Sequence, residues 1–289
     1  MADETKEIGL KEMGWYEVPQ DIVGKSVIDL MSLKGRVAVV TGAGGVCLGQ
    51  ALCHRLAGLG ADIVLVGRHM ENIAEVAKSV EEKWGVETLC LCADLMDFDA
   101  VGEMFKQANA WKGHIDILVN NANATRNGMI QDMTKEEIDY SIDGPYKSVA
   151  YCLHHVAPYM IAQRKGKIVN ISSESSQRSK NVSLGIYASS KSAVNGLTRS
   201  YAGELAPYGI IVNGVAPGVM FKPSLRSMFE NPTEATKGPR MSMYLSIQDN
   251  IIKRVSIPEE VANTVAFLCT DANTYIAGQT IMNGGGSVV

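Results

Sequence analysis

The chain has 289 residues, 46% of them hydrophobic and 20% charged, with a formal net charge of −4. That length allows one large α/β domain or two small ones, and the composition excludes a disordered or low-complexity chain. A slightly acidic balance leaves no basic footprint for nucleic acid, and no apolar run is long enough to span a bilayer, so neither partner is expected.

Asp3, Glu4, Lys6 and Glu7 lie within Met1 to Lys11 with no apolar core after them. No secretory signal is expected there, and the protein is expected to stay in the cytoplasm. Residues 1–33 read as an N-terminal arm with a turn-rich aromatic segment, Gly14-Trp15-Tyr16-Glu17-Val18-Pro19, laid on the body or on a neighbouring subunit.

From Arg36 the pattern changes. Val37-Ala38-Val39-Val40 is a continuous apolar run of the kind found in strands covered on both faces. A glycine-rich turn and a helix follow, Thr41-Gly42-Ala43-Gly44-Gly45-Val46-Cys47-Leu48-Gly49-Gln50, and then a second apolar strand, Asp62–Val66, ends in Gly67-Arg68. Strand, glycine turn, helix and strand within about thirty residues make a dinucleotide-binding βαβ unit, in which glycines let the backbone approach a pyrophosphate at a helix N-terminus. No Asp or Glu closes the second strand to bond a ribose 2′-hydroxyl. Arg68 stands where it can pair with a 2′-phosphate, so NADPH is expected in preference to NADH.

The alternation continues with helices over Met70–Lys83 and Phe98–Trp111, strands over Thr88–Cys92 and Asp116–Val119, and a long helical pattern from Thr134 to about Arg164. A strand from Lys167 delivers Ser173, a helix carrying Tyr187 runs to about Ala206, and a strand covers Ile210–Asn213. A loop-rich insertion, a helix over Pro258–Cys269 and a short strand, Thr280–Met282, close the chain. Repeated βα units predict a single α/β domain over 34–289, a Rossmann-type doubly wound parallel sheet with helices on both faces and right-handed crossovers. Six cysteines are scattered through apolar runs and read as reduced core thiols, with Cys90 and Cys92 on one face of a strand. The five histidines form no metal-binding spacing, so metal-independent chemistry is expected.

Tyr187 and Lys191 are four residues apart in a helical run, which stacks phenol and ammonium on one face. A neighbouring cation favours the phenolate, so Tyr187 is expected to sit below its usual pKa of about 10 and to act as a general acid or base. The hydroxyl of Ser173 is expected to converge on the same place from the carboxyl edge of the sheet.

Taken in order, the Thr41-Gly42 turn, Asp94, Asn120-Asn121-Ala122, Ser173, Tyr187-x-x-x-Lys191, Pro217-Gly218 and Asn283-Gly284-Gly285 resemble the short-chain dehydrogenase/reductase family, over Leu33 to Gly286. The resemblance implies a catalytic set of Ser173, Tyr187 and Lys191, with Ser173 holding the substrate oxygen, Tyr187 passing the proton and Lys191 lowering its pKa and gripping the nicotinamide ribose. It implies a cradle of Gly42, Gly45, Leu48 and Gly49 for the pyrophosphate, Asp94 at the adenine, Asn121 beside the adenosine ribose, and Pro217, Gly218 and the main chain of Met220 at the carboxamide. The activity implied is NADPH-dependent reduction of a ketone to a secondary alcohol, or the reverse. A homotetramer is implied as well, through the long helix from Thr134 and the segment from Gly278 to Val289. The overall plan is similar to that of gut bacterial reductases of isoflavanone ketones, of the dihydrodaidzein type. The segment at about 221–253, with Phe221, Leu225, Met228, Phe229, Met241, Met243, Tyr244 and Leu245, stands where the family has its substrate lid, and such side chains suit a bulky apolar or aromatic ligand.

Four positions depart from the family pattern. The glycine turn is one residue longer, with Val46-Cys47 near the place of its middle glycine; Asn123 replaces a glycine; Lys222 replaces a threonine that binds the carboxamide, a task Ser224 is placed to take over. Pro145 stands where the family has an Asn whose main-chain carbonyl holds a relay water. Proline enforces a kink by itself and keeps that carbonyl, with Gly144 easing the strain. The alternative reading of these departures is a catalytically silent member acting as a binding or partner subunit.

Overall fold

The computed structural model describes residues 20–45, 47–178, 182–231 and 233–287, so the Trp15 segment of the arm and Val46 lie outside the described residues. The elements in chain order are α1 (Gln20–Val23), α2 (Val27–Leu30), β1 (Val37–Thr41), α3 (Leu48–Gly58), β2 (Asp62–Gly67), α4 (Met70–Trp84), β3 (Thr88–Cys92), α5 (Phe98–Lys112) and β4 (Ile117–Asn120). They continue with α6 (Lys135–Gln163), β5 (Gly166–Ile171), α7 (Gly185–Leu205), β6 (Ile210–Pro217), α8 (Pro223–Glu230), α9 (Glu234–Asp249), α10 (Pro258–Cys269) and β7 (Thr280–Asn283).

The seven strands form one parallel sheet in the order β3-β2-β1-β4-β5-β6-β7. This is the doubly wound architecture expected. Alternate strand residues face opposite layers. Ala38, Val40, Ile63 and Leu65 pack with Leu52, Leu56, Ile73 and Val261 from α3, α4 and α10. Val37, Val39, Val64 and Val66 pack with Phe105, Leu153 and Val194 from α5, α6 and α7. Both faces being covered is the reason these strands are apolar throughout.

The chain returns to the centre of the sheet between β3 and β4, which places a crevice at the carboxyl ends of β1 and β4. Thr41 pairs with Val66, Asn120 with Asn170, Ile171 with Val215 and Pro217 with Asn283, so the motif residues that follow these strands emerge along one edge.

Two expectations are corrected. Cys92 is exposed and Cys90 only part-buried, because β3 is the sheet edge; Cys53, Cys152 and Cys269 are buried free thiols. The insertion after β6 is helical. Pro223 sits in the first turn of α8, where a fixed φ suits the helix, Arg226 pairs with Glu230 one turn on at 2.6 Å, and Thr233 donates its N–H to Thr236 Oγ1 at 2.9 Å to close the start of α9.

Candidate active site

Ser173 lies two residues past β5 and starts a 3₁₀ turn, its hydroxyl accepting from Ser175 N at 3.2 Å. The turn is tied to α7: Ser176 Oγ donates to Ser173 O at 2.6 Å, and Asn195 Nδ2 donates to Ser176 Oγ at 2.8 Å. Tyr187, in the first turn of α7, meets the Ser173 hydroxyl. One turn later Lys191 is buried and donates from Nζ to Ile171 O at 2.8 Å, at the end of β5. Serine, tyrosine and lysine are thus brought together.

The electrostatics reverse one expectation. Burial raises the Tyr187 phenol above its usual range and Glu174 adds to the rise, while the hydrogen bond from Ser173 pulls the other way. The ammonium of Lys191 is engaged by a main-chain carbonyl, and burial brings its own pKa down to about 8. Spacing put the two side chains on one face; the surrounding low dielectric disfavours both charged forms.

A cleft of about 720 Å³ runs along the carboxyl edge and takes in every site residue named from the sequence. Ser173, Tyr187 and Lys191 lie on its β5 side, and Arg68 and Asp94 follow β2 and β3 on the other. Arg68 is exposed and forms no ion pair among the described residues. Asp94 caps its own loop through Met96 N at 3.0 Å. Asn121 donates its side-chain amide to Thr41 O at 3.0 Å and Gly42 O at 3.2 Å, so it pins the glycine turn. Val219 O and the N–H of Phe221 both bond Ser256, which leaves the main chain of Met220 directed away from that partner.

The glycines are not equivalent. Gly42 has φ +65°, and a Cβ there would stand 2.9 Å from Ala122 Cα. A Cβ on Gly49 would overlap the Gly42 carbonyl oxygen, whereas at Gly45 the nearest atom is 3.8 Å away. The turn leads into α3, whose first turn has no acidic residue and whose N-cap, Cys47, makes no side-chain capping bond. Leu48 and Gly49 therefore open a helix N-terminus onto the cleft, which fits a pyrophosphate.

A family model described as short chain dehydrogenase matches residues 36–232. The chain belongs to the short-chain dehydrogenase family. A curated relative, the 3-oxoacyl-[acyl-carrier-protein] reductase FabG of Staphylococcus epidermidis, is 33% identical over 249 residues, covering 86% of this chain and 97% of the relative. Among solved structures, L-sorbose reductase from Gluconobacter frateurii complexed with NADPH and L-sorbose superposes with TM-score 0.80 at 29% identity, over 89% of this chain and 98% of that one. A 7α-hydroxysteroid dehydrogenase complexed with NADH and 7-oxo glycochenodeoxycholic acid gives 0.82 at 28%, over 91% and 98%. As a short-chain dehydrogenase the protein is an NAD(P)-dependent oxidoreductase acting on CH–OH and C=O groups. When bound, the nicotinamide supplies or accepts the hydride; the chain's own residues bind, orient and handle the proton.

Two departures from the family pattern take on a physical form here. Asn123 is exposed on the cleft wall and has no positive φ, so nothing in the backbone demands a glycine there. Lys222 caps α8 at the cleft margin, and the Ser224 side chain lies outside the described residues. Sequence reasoning missed Glu174. It follows Ser173 directly, lines the cleft, accepts from Ser287 Oγ, and has its carboxyl pushed up by burial. Its place immediately after a candidate catalytic serine was the available signal.

Proposed function

We propose that the protein reduces the carbonyl of a bulky apolar or aromatic ketone with NADPH, or runs the reverse oxidation, with Tyr187 as proton donor. The observation that carries this reading is the meeting of Ser173, Tyr187 and buried Lys191 on one wall of a cleft whose far end presents Arg68. Ser173 holds the substrate oxygen, Tyr187 gives it a proton, and Lys191 steadies the phenol's charge and binds the nicotinamide ribose. Gly42, Gly45, Leu48 and Gly49 cradle the pyrophosphate, Asp94 and Asn121 serve the adenosine end, and Pro217, Gly218 and Met220 meet the carboxamide. A phenol raised by burial is fully protonated at neutral pH, the state a donor needs.

Ile171, Leu184, Val219 and Met220 give the substrate end an apolar lining. The lid at about 221–253 completes it, although Phe229, Met241, Tyr244 and Leu245 face solvent in this structure and the Leu225 and Met243 side chains lie outside the described residues. The domain at 34–289, preceded by the arm at 1–33, assembles as a cytoplasmic homotetramer; among the described residues no helix is long and apolar enough to cross a membrane. The similarity to a 3-oxoacyl-[acyl-carrier-protein] reductase favours a second reading, a 3-oxoacyl thioester substrate.

The test follows NADPH absorbance with 1-tetralone, an isoflavanone, 2-decalone and a 3-oxoacyl thioester. Turnover of the cyclic ketones above the thioester is expected; the opposite order selects the second reading, and no turnover of any of them selects a silent partner subunit. Tyr187→Phe removes only the hydroxyl, so turnover should vanish while NADPH still binds. Activity within a few-fold of wild type would reassign the proton.

A further inference from the structure

Pro145 has no N–H, so inside α6 the carbonyl four residues earlier, that of Ser141, loses its helical donor. Ser141 is fully buried, and a carbonyl orphaned there costs on the order of a hydrogen bond. The structure supplies the missing donor from another helix: Ser190 Oγ, buried in α7, donates to Ser141 O at 2.8 Å. Ser190 immediately precedes Lys191. Its hydroxyl also lies 2.9 Å from Ile186 O in its own helix, so the proton is shared between a local acceptor and one across the helix interface.

The same serine holds a third element. Ser141 Oγ accepts from Arg126 N at 2.8 Å and donates to Glu137 O at 2.7 Å, which fixes the loop after β4 on α6. That loop passes so close to α6 that a Cβ on Gly144 would overlap Ala124 O, and both Ala124 and Gly144 line the cleft. Loop, α6 and α7 are therefore locked together at Ser141, whose partner Ser190 is one residue along α7 from Lys191.

We propose that Ser190 is a positioning residue: by replacing the donor that Pro145 lacks, it sets the register of α7 against α6 and so holds Lys191 and Tyr187 in the cleft. This rests on the proton-handling roles given above to those two residues. The lysine side chain is pinned at its far end by Ile171 O, and its own carbonyl accepts from Ser172 Oγ at 3.2 Å. Without the Ser190 bond the Ser141 carbonyl stays unpaired and α7 is free to shift at the position where it carries Lys191.

The test is a cycle of Ser190→Ala, Pro145→Ala and the double variant, with Ser190→Thr as the conservative control, each followed by NADPH oxidation with 1-tetralone and by thermal unfolding. Ser190→Ala should lower kcat about tenfold with little change in the KM for NADPH, and should move the alkaline limb of the kcat profile by about half a pH unit or more. Ser190→Thr keeps the hydroxyl and should restore both. In the Pro145→Ala background a helical N–H again meets Ser141 O, so adding Ser190→Ala should cost about twofold or less in kcat and little in melting temperature. A Ser190→Ala protein with wild-type kcat and profile, or one equally impaired with and without Pro145, overturns the inference. The melting temperatures report the same coupling without any turnover. Tyr187→Phe keeps the two proposals apart: if it stays active the catalytic reading fails, and if it is dead while Ser190→Ala is normal only the present inference fails.

Discussion

Substitution of the turn glycines separates a sterically required cradle from a sequence pattern. An alanine at 49 puts its Cβ onto the Gly42 carbonyl oxygen and within 3.1 Å of the carbonyl carbon and 3.2 Å of Ala43 Cα. All three are backbone atoms, so relief requires moving the turn. Gly42 itself is held at φ +65° against Ala122, while Asn121 and Thr41 bond its neighbourhood. Overpacking of this kind costs about 1–3 kcal/mol, and because the strain falls on the turn that receives the pyrophosphate, about 5- to 150-fold of cofactor affinity is at stake. Gly45→Ala meets nothing nearer than 3.8 Å and needs no positive φ, so its effect should stay within about threefold. Titration of NADPH by nicotinamide fluorescence measures both. Equal losses for the two variants, or a larger loss at Gly45, would refute the steric argument and return the weight to the family's middle glycine.

Arg68→Asp should abolish the preference for NADPH, read as the ratio of kcat/KM for the two cofactors; a wild type that uses both equally would contradict the assignment. Light scattering should return about four times the 31.1 kDa chain mass, and a monomer mass would remove the tetramer. Lys167 is buried on β5 with its pKa lowered to about 8, and Nζ donates to Asn273 O. The unfolded chain binds that proton more tightly, so stability should rise between about pH 8 and 9, with up to about 3 kcal/mol withheld at pH 7; above about pH 9 the thiols of Cys53, Cys152 and Cys269, which burial raises, ionise first in the unfolded chain and turn the slope down. Lys191 acts in the same direction, so in denaturant titrations Lys167→Met should remove about half of that rise, and an unchanged slope would refute the account.

Most of the sheet was readable because buried parallel strands are continuous apolar runs and the turns between them carry Gly, Asp or Thr at fixed places. Thr88–Cys92 and Pro258–Cys269 have the bounds expected, and α6 runs from its Thr134 N-cap to its Arg164 C-cap. α8 and α9 were not readable. Pro223, Gly238 and Pro239 look like breaks, yet the first sits in the opening turn of α8 and the other two are carried within α9. Edge position is also invisible to local pattern, which is why Cys92 was expected inside: its alternation is that of a covered strand, but only the strand order shows that β3 has no neighbour beyond it.

The site was legible as a set of residues and less so as a set of charges. A four-residue spacing places Tyr187 and Lys191 on one face of α7, and the structure honours it; the spacing says nothing of the dielectric or of which acceptor the ammonium finds. Lys191 finds Ile171 O, and burial works against both ionised forms, so the phenol is raised rather than lowered. Pro145 teaches the converse. Read alone it is a lost asparagine and a broken helix, but α6 continues from Lys135 to Gln163, and the carbonyl the proline frees is taken up by Ser190 from the helix that carries the tyrosine and the lysine. The compensation lies 45 positions away in the chain, which is the physical reason that a position-by-position comparison with a family pattern scores the loss and cannot see the gain.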